Sequence, residues 1–467
     1  MSESNNNITS IQPVVNSDQL IEHSVESLMV NNNNNKNLYV PTKREQCQTC
    51  LSNAERAELR SKSNVPNLRF PEFKGEWKEY SIGEICETIT DFVAAGSFAS
   101  LRENIVYSDV PLYAQLVRIV DVKNEFSNPD FVYVDKKAFD LLWRVTLDKE
   151  AVLLPNIGIN IGEAYYVTPK TFPYDKNVLG PNAILLRSKN NSTSFFFYRV
   201  NTNAFAKALV KIVGASRQLK FNKTELKTIQ LFYPALAEQN RIAKLLFLLD
   251  ERIATQNKII EKLQSLIKGL NHLLLNPGKD WTIYELNDLA KIKCGYSGSQ
   301  VSGPTPYKVS RIETISKHCI DMLRIGYVQE INESYKLNIG DILFSNINSV
   351  QYIGNTAYID KDYGLYHGMN LLRIIPNIDV IKPYFLHLLL CTDKAINHFQ
   401  TICNKAVSQA SINQTALGKS QFSIPSISVQ QEICCIFELI ERKIKNELQY
   451  IDNLKRQKEY LLRQLFI

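Results

Sequence analysis

Two stretches of this chain place apolar residues at the spacing of a long, one-faced helix. Between residues 236 and 275, Leu246, Ile253, Ile260, Ile267 and Leu274 share one heptad position, and Ile242, Leu249, Gln256, Leu263 and Leu270 share a second. Between residues 427 and 467 the same two positions hold Phe437, Ile444, Ile451, Lys458 and Leu465, then Ile433, Ile440, Glu447, Leu454 and Leu461. Five heptads in each stretch predict two long helices with coiled-coil seams. Gln256 and Glu447 interrupt the stripe at equivalent places, the pattern of a register device. Pro277-Gly278 ends the first helix, and Ser428 with Gln431 reads as a capping box that opens the second.

The equivalence extends well beyond the helices. At an offset of 191 residues, Asn222 meets Asn413, Thr224 meets Thr415, Leu226 meets Leu417, Gln230 meets Gln421, Pro234 meets Pro425, Gln239 meets Gln430 and Ile242 meets Ile433, with no gap. Trp77 and Tyr80 echo Trp281 and Tyr284 at an offset of 204, Arg118-Ile119 echoes Arg311-Ile312, and Gly162 echoes Gly354. Amphipathic helices alone explain shared leucines, but not Trp, Asn, Thr and Pro in one order. The chain beyond residue 65 is therefore a tandem duplication. In each copy short alternating runs predict strands: Ala151–Leu154, Ala164–Val167 and Ala183–Leu186, then Asp341–Phe344, Thr356–Ile359 and Leu371–Ile375.

The expected fold is α+β: a globular part at 66–233, a helix at 234–276, a second globular part at 277–424 and a second helix at 425–467. The first helix leaves one globular part and enters the other, and the second leaves the second part. If they pair, they run antiparallel as a spacer of roughly 60 Å, at ~1.5 Å per residue. That describes a pseudo-two-fold dumbbell with heads at a fixed separation. The competing arrangement is a coiled coil between two chains.

Residues 1–65 stand apart, with 12 Asn, the run Asn31–Asn35 and a single aromatic, Tyr39. Such a composition buries too little apolar surface to order itself, so a disordered Asn-rich extension is expected, with one short helix near 53–62 opened by Ser52 and Glu55. Cys47-Gln-Thr-Cys50 lacks two further ligands nearby and reads as two incidental thiols. Nine Cys in all, with Cys434 beside Cys435, fit reduced thiols better than a disulfide framework. No signal peptide and no run of ~18 apolar residues is present, so a cytoplasmic protein with no membrane contact is expected. The net charge of +7 leans toward an anionic partner.

Catalytic patterns are missing. Leu417-Gly418-Lys419-Ser420 ends like a phosphate-binding loop, but Asn413 stands where its first glycine belongs. No glycine-rich dinucleotide fingerprint occurs, and with no Pro-Pro the chain has no Asn/Asp-Pro-Pro-Tyr/Phe tetrapeptide, which a self-contained amino-methyltransferase would be expected to show. Pro129-Asp130 with Asp135-Lys136-Lys137 superficially resembles a nuclease pattern. Four intervening residues are few for carboxylates on neighbouring strands, the second copy has no counterpart, and a solvated turn is the better reading. The six histidines, His318 and His367 among them, lack metal partners at ligand spacing.

Binding chemistry is present. Arg199, Lys207, Lys211, Arg217, Lys220, Lys223 and Lys227 fall in one 29-residue stretch with a single acid, Glu225, and with Phe205 and Phe221 interleaved. Lys and Arg neutralise phosphates, and Arg, Gln and Asn read base edges bidentately. The loop at 214–218 is matched by 405–409, which keeps the amides and loses most of the charge. Asn156 to Asn160 pairs with Asn346 to Gln351, and Asn182 with Asn370. Turn chemistry is the competing explanation for each Asn. The candidate DNA-contacting set is Arg118, Asn156, Asn160, Asn182, Lys211, Arg217, Gln218, Lys220 and Lys223 in the first copy. In the second it is Arg311, Asn346, Asn348, Gln351, Asn370, Gln409 and Asn413. No catalytic residue, metal site or bound cofactor is expected in this chain.

The run Val65-Pro-Asn-Leu-Arg-Phe-Pro-Glu-Phe-Lys-Gly-Glu-Trp77, Leu226 through Pro234 to Ile242, Gly340-Asp-Ile-Leu-Phe-Ser-Asn346 and Ile424-Pro425 through Gln430 to Ile433 carry a resemblance. Over residues 66–467 the chain resembles the specificity subunit of type I restriction–modification enzymes. The resemblance implies two target-recognition domains, each reading half of a split double-stranded DNA site, and helical regions that space the halves. It also implies docked methyltransferase and restriction/translocase subunits, which would hold S-adenosylmethionine, ATP and Mg²⁺. Two features depart from the pattern: the first 65 residues lie outside it, and the loop at 405–409 lacks the Gly and Arg of its partner. The alternative from another class is a coiled-coil scaffold whose heads bind protein.

Overall fold

The computed structural model describes residues 64–158, 160–213, 219–405 and 409–467. The Asn-rich extension (save its last two residues), Cys47, Cys50 and the helix expected at 53–62 lie outside the described residues. So do Arg217 and Gln218. The chain forms two compact units. One comprises residues up to Thr255 together with Ile451–Ile467, and the other is Gln256–Tyr450.

In the first unit an antiparallel four-stranded sheet has the order Cys86–Asp91, Ala183–Ser188, Ala151–Pro155, Tyr165–Val167. A three-stranded sheet has the order Val132–Val134, Ala114–Val117, Asn177–Leu179, with the last pair parallel. The hairpin-like pair Lys78–Ser81 and Gln230–Tyr233 closes the unit's ends together. The second unit repeats this connectivity. Its four strands run Ala290–Cys294, Leu371–Pro376, Ile342–Ser345, Thr356–Tyr358, and its three run Gly326–Val328, Tyr307–Val309, Leu365–Tyr366. Thr282–Glu285 pairs with Gln421–Ile424. All six strands expected from sequence form, with ends moved by at most two residues. The inner two strands of each four-stranded sheet are near-continuous apolar runs because both their faces are covered.

Two long helices are present, α1 (Leu236–Leu274) and α2 (Ile427–Gln464). Within the first unit Ile242, Leu246 and Leu249 of α1 share a core with Leu454 and Leu461 of α2 and with Leu465 and Phe466 just beyond it. Within the second, Ile267, Leu270 and Leu274 share a core with Ile433, Cys434 and Phe437. Gln256 and Glu447, the polar interruptions, are both buried, and Glu447 is paired with Lys443. The capping box expected at Ser428 and Gln431 does not form. Helix α2 already starts at Ile427, Ser428 Oγ contacts Ser426 Oγ at 3.0 Å, and Gln431 points to Cys435 Sγ.

The glutamine near each helix start does a different job. Gln239 Nε2 donates to the Pro234 carbonyl (2.9 Å) while its Oε1 accepts from Ser192 N–H (3.0 Å). Gln430 does the same with the Pro425 carbonyl (2.9 Å) and Lys382 N–H (2.8 Å). Each buried amide thus ties helix, preceding turn and globular part together. In the first unit the Val65–Trp77 run is anchored in the same place. Arg69 forms a two-pronged ion pair with buried Glu238 (2.7 Å on each arm), Leu68 N–H donates to the Gln464 carbonyl (2.9 Å), and Trp77 packs on Phe195 and Phe466.

Two histidines of the second unit are buried, His367 and His387. Burial pulls each down to about 4, and neighbouring charge from Arg373 and His318 respectively acts in the same direction. Both are therefore neutral in the fold, and His367 Nε2 bonds the Leu371 carbonyl at 2.9 Å. An unfolded histidine titrates near ~6.5, so acid protonates the unfolded state first. Their stabilising contribution is complete above that value and falls with pH toward about 4, by about 1.4 kcal/mol per histidine per pH unit. Calorimetry between pH 7 and 5.5 is expected to show a transition of the second unit that moves down with pH. The described residues of the first unit contain no histidine, so its transition lacks this contribution, and equal shifts for both would refute the assignment.

Candidate nucleic-acid interface

In each unit two loops far apart in sequence are joined by one asparagine. Asn156 follows the strand Ala151–Pro155. Its carbonyl accepts from Phe221 N–H (3.2 Å) and its Nδ2 donates to the Phe221 carbonyl (3.3 Å). Gly158 N–H donates to the Leu219 carbonyl, and Ile157 bridges Lys220. In the second unit Asn346 follows Ile342–Ser345 and holds Ile412 in the same two ways, at 2.8 and 3.3 Å. Ile347–Asn348 then pairs with Ala410–Ser411, which pairs with Asn404–Lys405. Beneath each loop sits a left-handed glycine, Gly162 (φ +82°) and Gly354 (φ +84°). A Cβ there would lie 2.4 Å from Leu209 and 2.7 Å from Phe399, on the helices Asn203–Ile212 and Asp393–Ile402. The symmetry of the two copies is thus one of loop anchoring.

Many candidate residues have structural tasks. Asn182 (φ +70°) and Asn370 (φ +63°) occupy left-handed turn positions, which asparagine tolerates. Asn413 caps the helix Gln414–Gly418 by accepting from Ala416 N–H (2.8 Å), as Asn222 caps Lys223–Lys227. Asn348 bonds Ser345 Oγ and Ser349 N–H. Asn160 accepts from Lys123 Nζ (3.0 Å). Arg118 is paired with Asp121 at 2.6 Å, which raises its guanidinium further. Arg311 lies 3.5 Å from Glu313, and Lys223 is held by Asp91 at 2.7 Å. Lys211, Lys220, Gln351 and Gln409 are exposed. The basic stretch itself is thinner than its composition suggests. Arg199 is buried on the inner face of the helix Thr193–Val200, bonded to Thr202 Oγ1 (3.0 Å), and burial pulls it down to about 10. Lys207, Lys211, Lys220 and Lys227 remain exposed there.

Asp135, half of the nuclease-like pattern, caps the helix Lys136–Leu141 by accepting from Ala138 N–H (2.8 Å). Among the described residues no group of three or more His, Cys, Asp or Glu could hold a metal ion, and no helix is long and apolar enough to cross a membrane.

The sequence reading did not single out a cleft of about 480 Å³ in the first unit. Its floor is Phe92, Leu101, Ile105 and Ala183, and its rim carries Val93, Arg102, Tyr107, Asn156 and Asn182. The exposed apolar run Val106, Tyr107, Val110 and Leu112 beside it was the signal in the sequence.

A family model of the type I restriction modification DNA specificity domain matches this chain twice, over residues 74–265 and 278–456. The putative type I restriction enzyme MjaX specificity subunit of Methanocaldococcus jannaschii is 39% identical over 194 residues, 40% of this chain and 46% of that one. The chain thus spans about half the length of that relative. The MjaVIII specificity subunit of the same organism is 26% identical over 353 residues, covering 67% of this chain and 78% of its own. Among solved structures, the S subunit of a type I restriction–modification system from M. genitalium superposes with a TM-score of 0.53 at 14% identity, over 86% of this chain and 99% of that one. A chain from a study of complex assembly and conformational transition of the type I system gives 0.50, over 85% and 98%. At such identities these two likenesses bear on the fold alone.

Proposed function

The chain belongs to the type I restriction–modification DNA specificity family, and from that premise we propose that it recognises a two-part double-stranded DNA target, one half-site for each globular half. The observation that carries this reading is the duplicated loop anchor. Asn156 and Asn346 fix equivalent pairs of loops in the two units, while the loops themselves differ in sequence. A common frame with variable loops suits two different half-sites. The chain is non-catalytic on this reading. It acts in the cytoplasm and docks methyltransferase and restriction/translocase subunits, which bring S-adenosylmethionine, ATP and Mg²⁺. Helices α1 and α2 form the antiparallel coiled-coil spacer. In support, early α1 meets late α2 in one unit and late α1 meets early α2 in the other.

Salt dependence separates this reading from a protein-binding scaffold. Four phosphate contacts, from Lys207, Lys211, Lys220 and Lys227, give a log–log slope of about −3.6, or about 10²-fold weaker binding at 200 than at 50 mM salt. Fluorescence anisotropy with the assembled complex measures this. Changing all four lysines to glutamine is expected to flatten the slope by about that amount, and salt-independent association would favour the scaffold.

A further inference from the structure

The cleft of the first unit lies between elements that the DNA reading already uses. Asn156 and Asn182 on its rim belong to the anchored loop and the adjacent turn, and Asp91 beside it holds Lys223. Its volume, about 480 Å³, falls within the ~300–1,000 Å³ of small-ligand sites. The lining has the character of such a site: an apolar and aromatic floor, a few amides, and a cation, Arg102, at the mouth. Tyr107 is 54% exposed and Val93 41% exposed, so two large side chains stand at the opening with much of their surface in solvent.

In the second unit backbone occupies the place after the first strand. After the strand Ala290–Cys294, Tyr296 bridges Gly368 and donates its N–H to the His367 carbonyl at 3.0 Å. A Cβ on Gly295 would lie 1.8 Å from the Gly368 oxygen, so backbone fills that place. In the first unit the chain instead turns away after Asp91 through the single turn Phe92–Ala95. The cleft follows from this path after the first strand, which the second copy does not share.

Base edges in a stacked duplex are read by groups that project into a groove. A concavity receives something that projects from the DNA, and the projecting group with a planar apolar face and a polar edge is an unstacked base. We propose that this cleft takes one base of the first half-site out of the stack, with Tyr107 against one face, the apolar floor at Phe92 beneath it and the exposed Asn182 amide at its edge. The proposal rests on the DNA-recognition reading and adds a specificity-determining site present in one half only. Tyr107, Phe92 and Arg102 are its lining residues outside the set drawn from the sequence.

The test uses the chain assembled with its methyltransferase subunits and a duplex bearing the site that methylome sequencing reports for it. 2-Aminopurine is placed in turn at or beside each position of both half-sites. A several-fold fluorescence rise is expected at one position of the first half-site that is not the methylated base, with no counterpart in the second. Tyr107→Ala, at a half-exposed position outside the core, is expected to abolish that rise and weaken binding about tenfold, whereas Tyr107→Phe keeps most of both. A mismatch at the unstacked position is expected to tighten binding. Binding without such a rise, equal rises in both halves, or a rise that survives Tyr107→Ala overturns the proposal and leaves the family reading standing. Protection of residues 101–107 from hydrogen exchange by the methyltransferase subunits without DNA would make the occupant protein and overturn it too. Failure of the wild-type complex to bind any such duplex overturns both readings.

Discussion

Exchanging residues 66–233 for the matching segment of another specificity subunit is expected to change one half of the methylated sequence and leave the other half and the spacer length unaltered. Methylome sequencing of cells carrying the exchanged chain and its methyltransferase reads the result directly. The expectation is physical. The globular part of the first unit has its own sheets and one core wholly within the exchanged segment, and the loops joined by Asn156 and Phe221 belong wholly to that segment. The segment packs on the helices through one shared apolar cluster and through polar contacts that include Arg69 to Glu238, Ser192 N–H to Gln239, and Tyr198 OH to Asp250 (2.9 Å), which also holds Lys458. A donor segment that keeps Arg69, Trp77, Phe195 and Tyr198 should dock. One that lacks them is expected to fold poorly, because the Glu238 carboxylate would be buried without its cation. A change in both half-sites would count decisively against one domain per half.

The largest stability effect is expected at Arg373. It lies on the strand Leu371–Pro376 and pairs with Asp341 at 2.6 Å, with each side chain only 4% exposed. Burial raises the Asp341 carboxyl, opposed by the Asn338 backbone N–H and by Arg373. Arg373→Met removes the cation and leaves a buried carboxylate unpaired, which costs about 3–5 kcal/mol. Changing both partners to apolar residues of similar size is expected to recover most of that. An Asp–Arg pair in the first unit, Asp148 with Arg187 at 2.9 Å, has Asp148 59% exposed. Water already screens it, so Arg187→Met is expected to cost about 1 kcal/mol or less. Denaturant unfolding of the three variants checks the contrast, and similar costs at the two pairs would show that burial does not control them.

The two ion pairs also show where sequence reading stops. Asp148 precedes the strand Ala151–Pro155 and Asp341 the strand Ile342–Ser345, and the local sequence does not say which carboxylate is buried. The strand neighbours that bury one and expose the other come from elsewhere in the chain. The same holds for the basic stretch. Its charges are counted correctly from residues 199–227, yet Arg199 turns inward and Lys223 is claimed by Asp91, 132 residues away. Of the asparagines chosen as base readers, Asn156 and Asn346 hold backbone, Asn182 and Asn370 shape turns, and Asn413 caps a helix. The walls of the Tyr107 cleft come from three separate segments, so no local run encodes it.

By itself the sequence determined the duplication, the two long helices, the strands of each copy and the polar breaks at Gln256 and Glu447. These follow from periodicity and residue order, which every residue in a segment helps to set and which a second copy states again. Only the tertiary structure decided which charges meet solvent, which amides serve the backbone and where a cavity opens. Those outcomes depend on single contacts between residues as far apart as Asn156 and Phe221 or Arg69 and Glu238, and no local pattern encodes a partner 65 or 169 positions away.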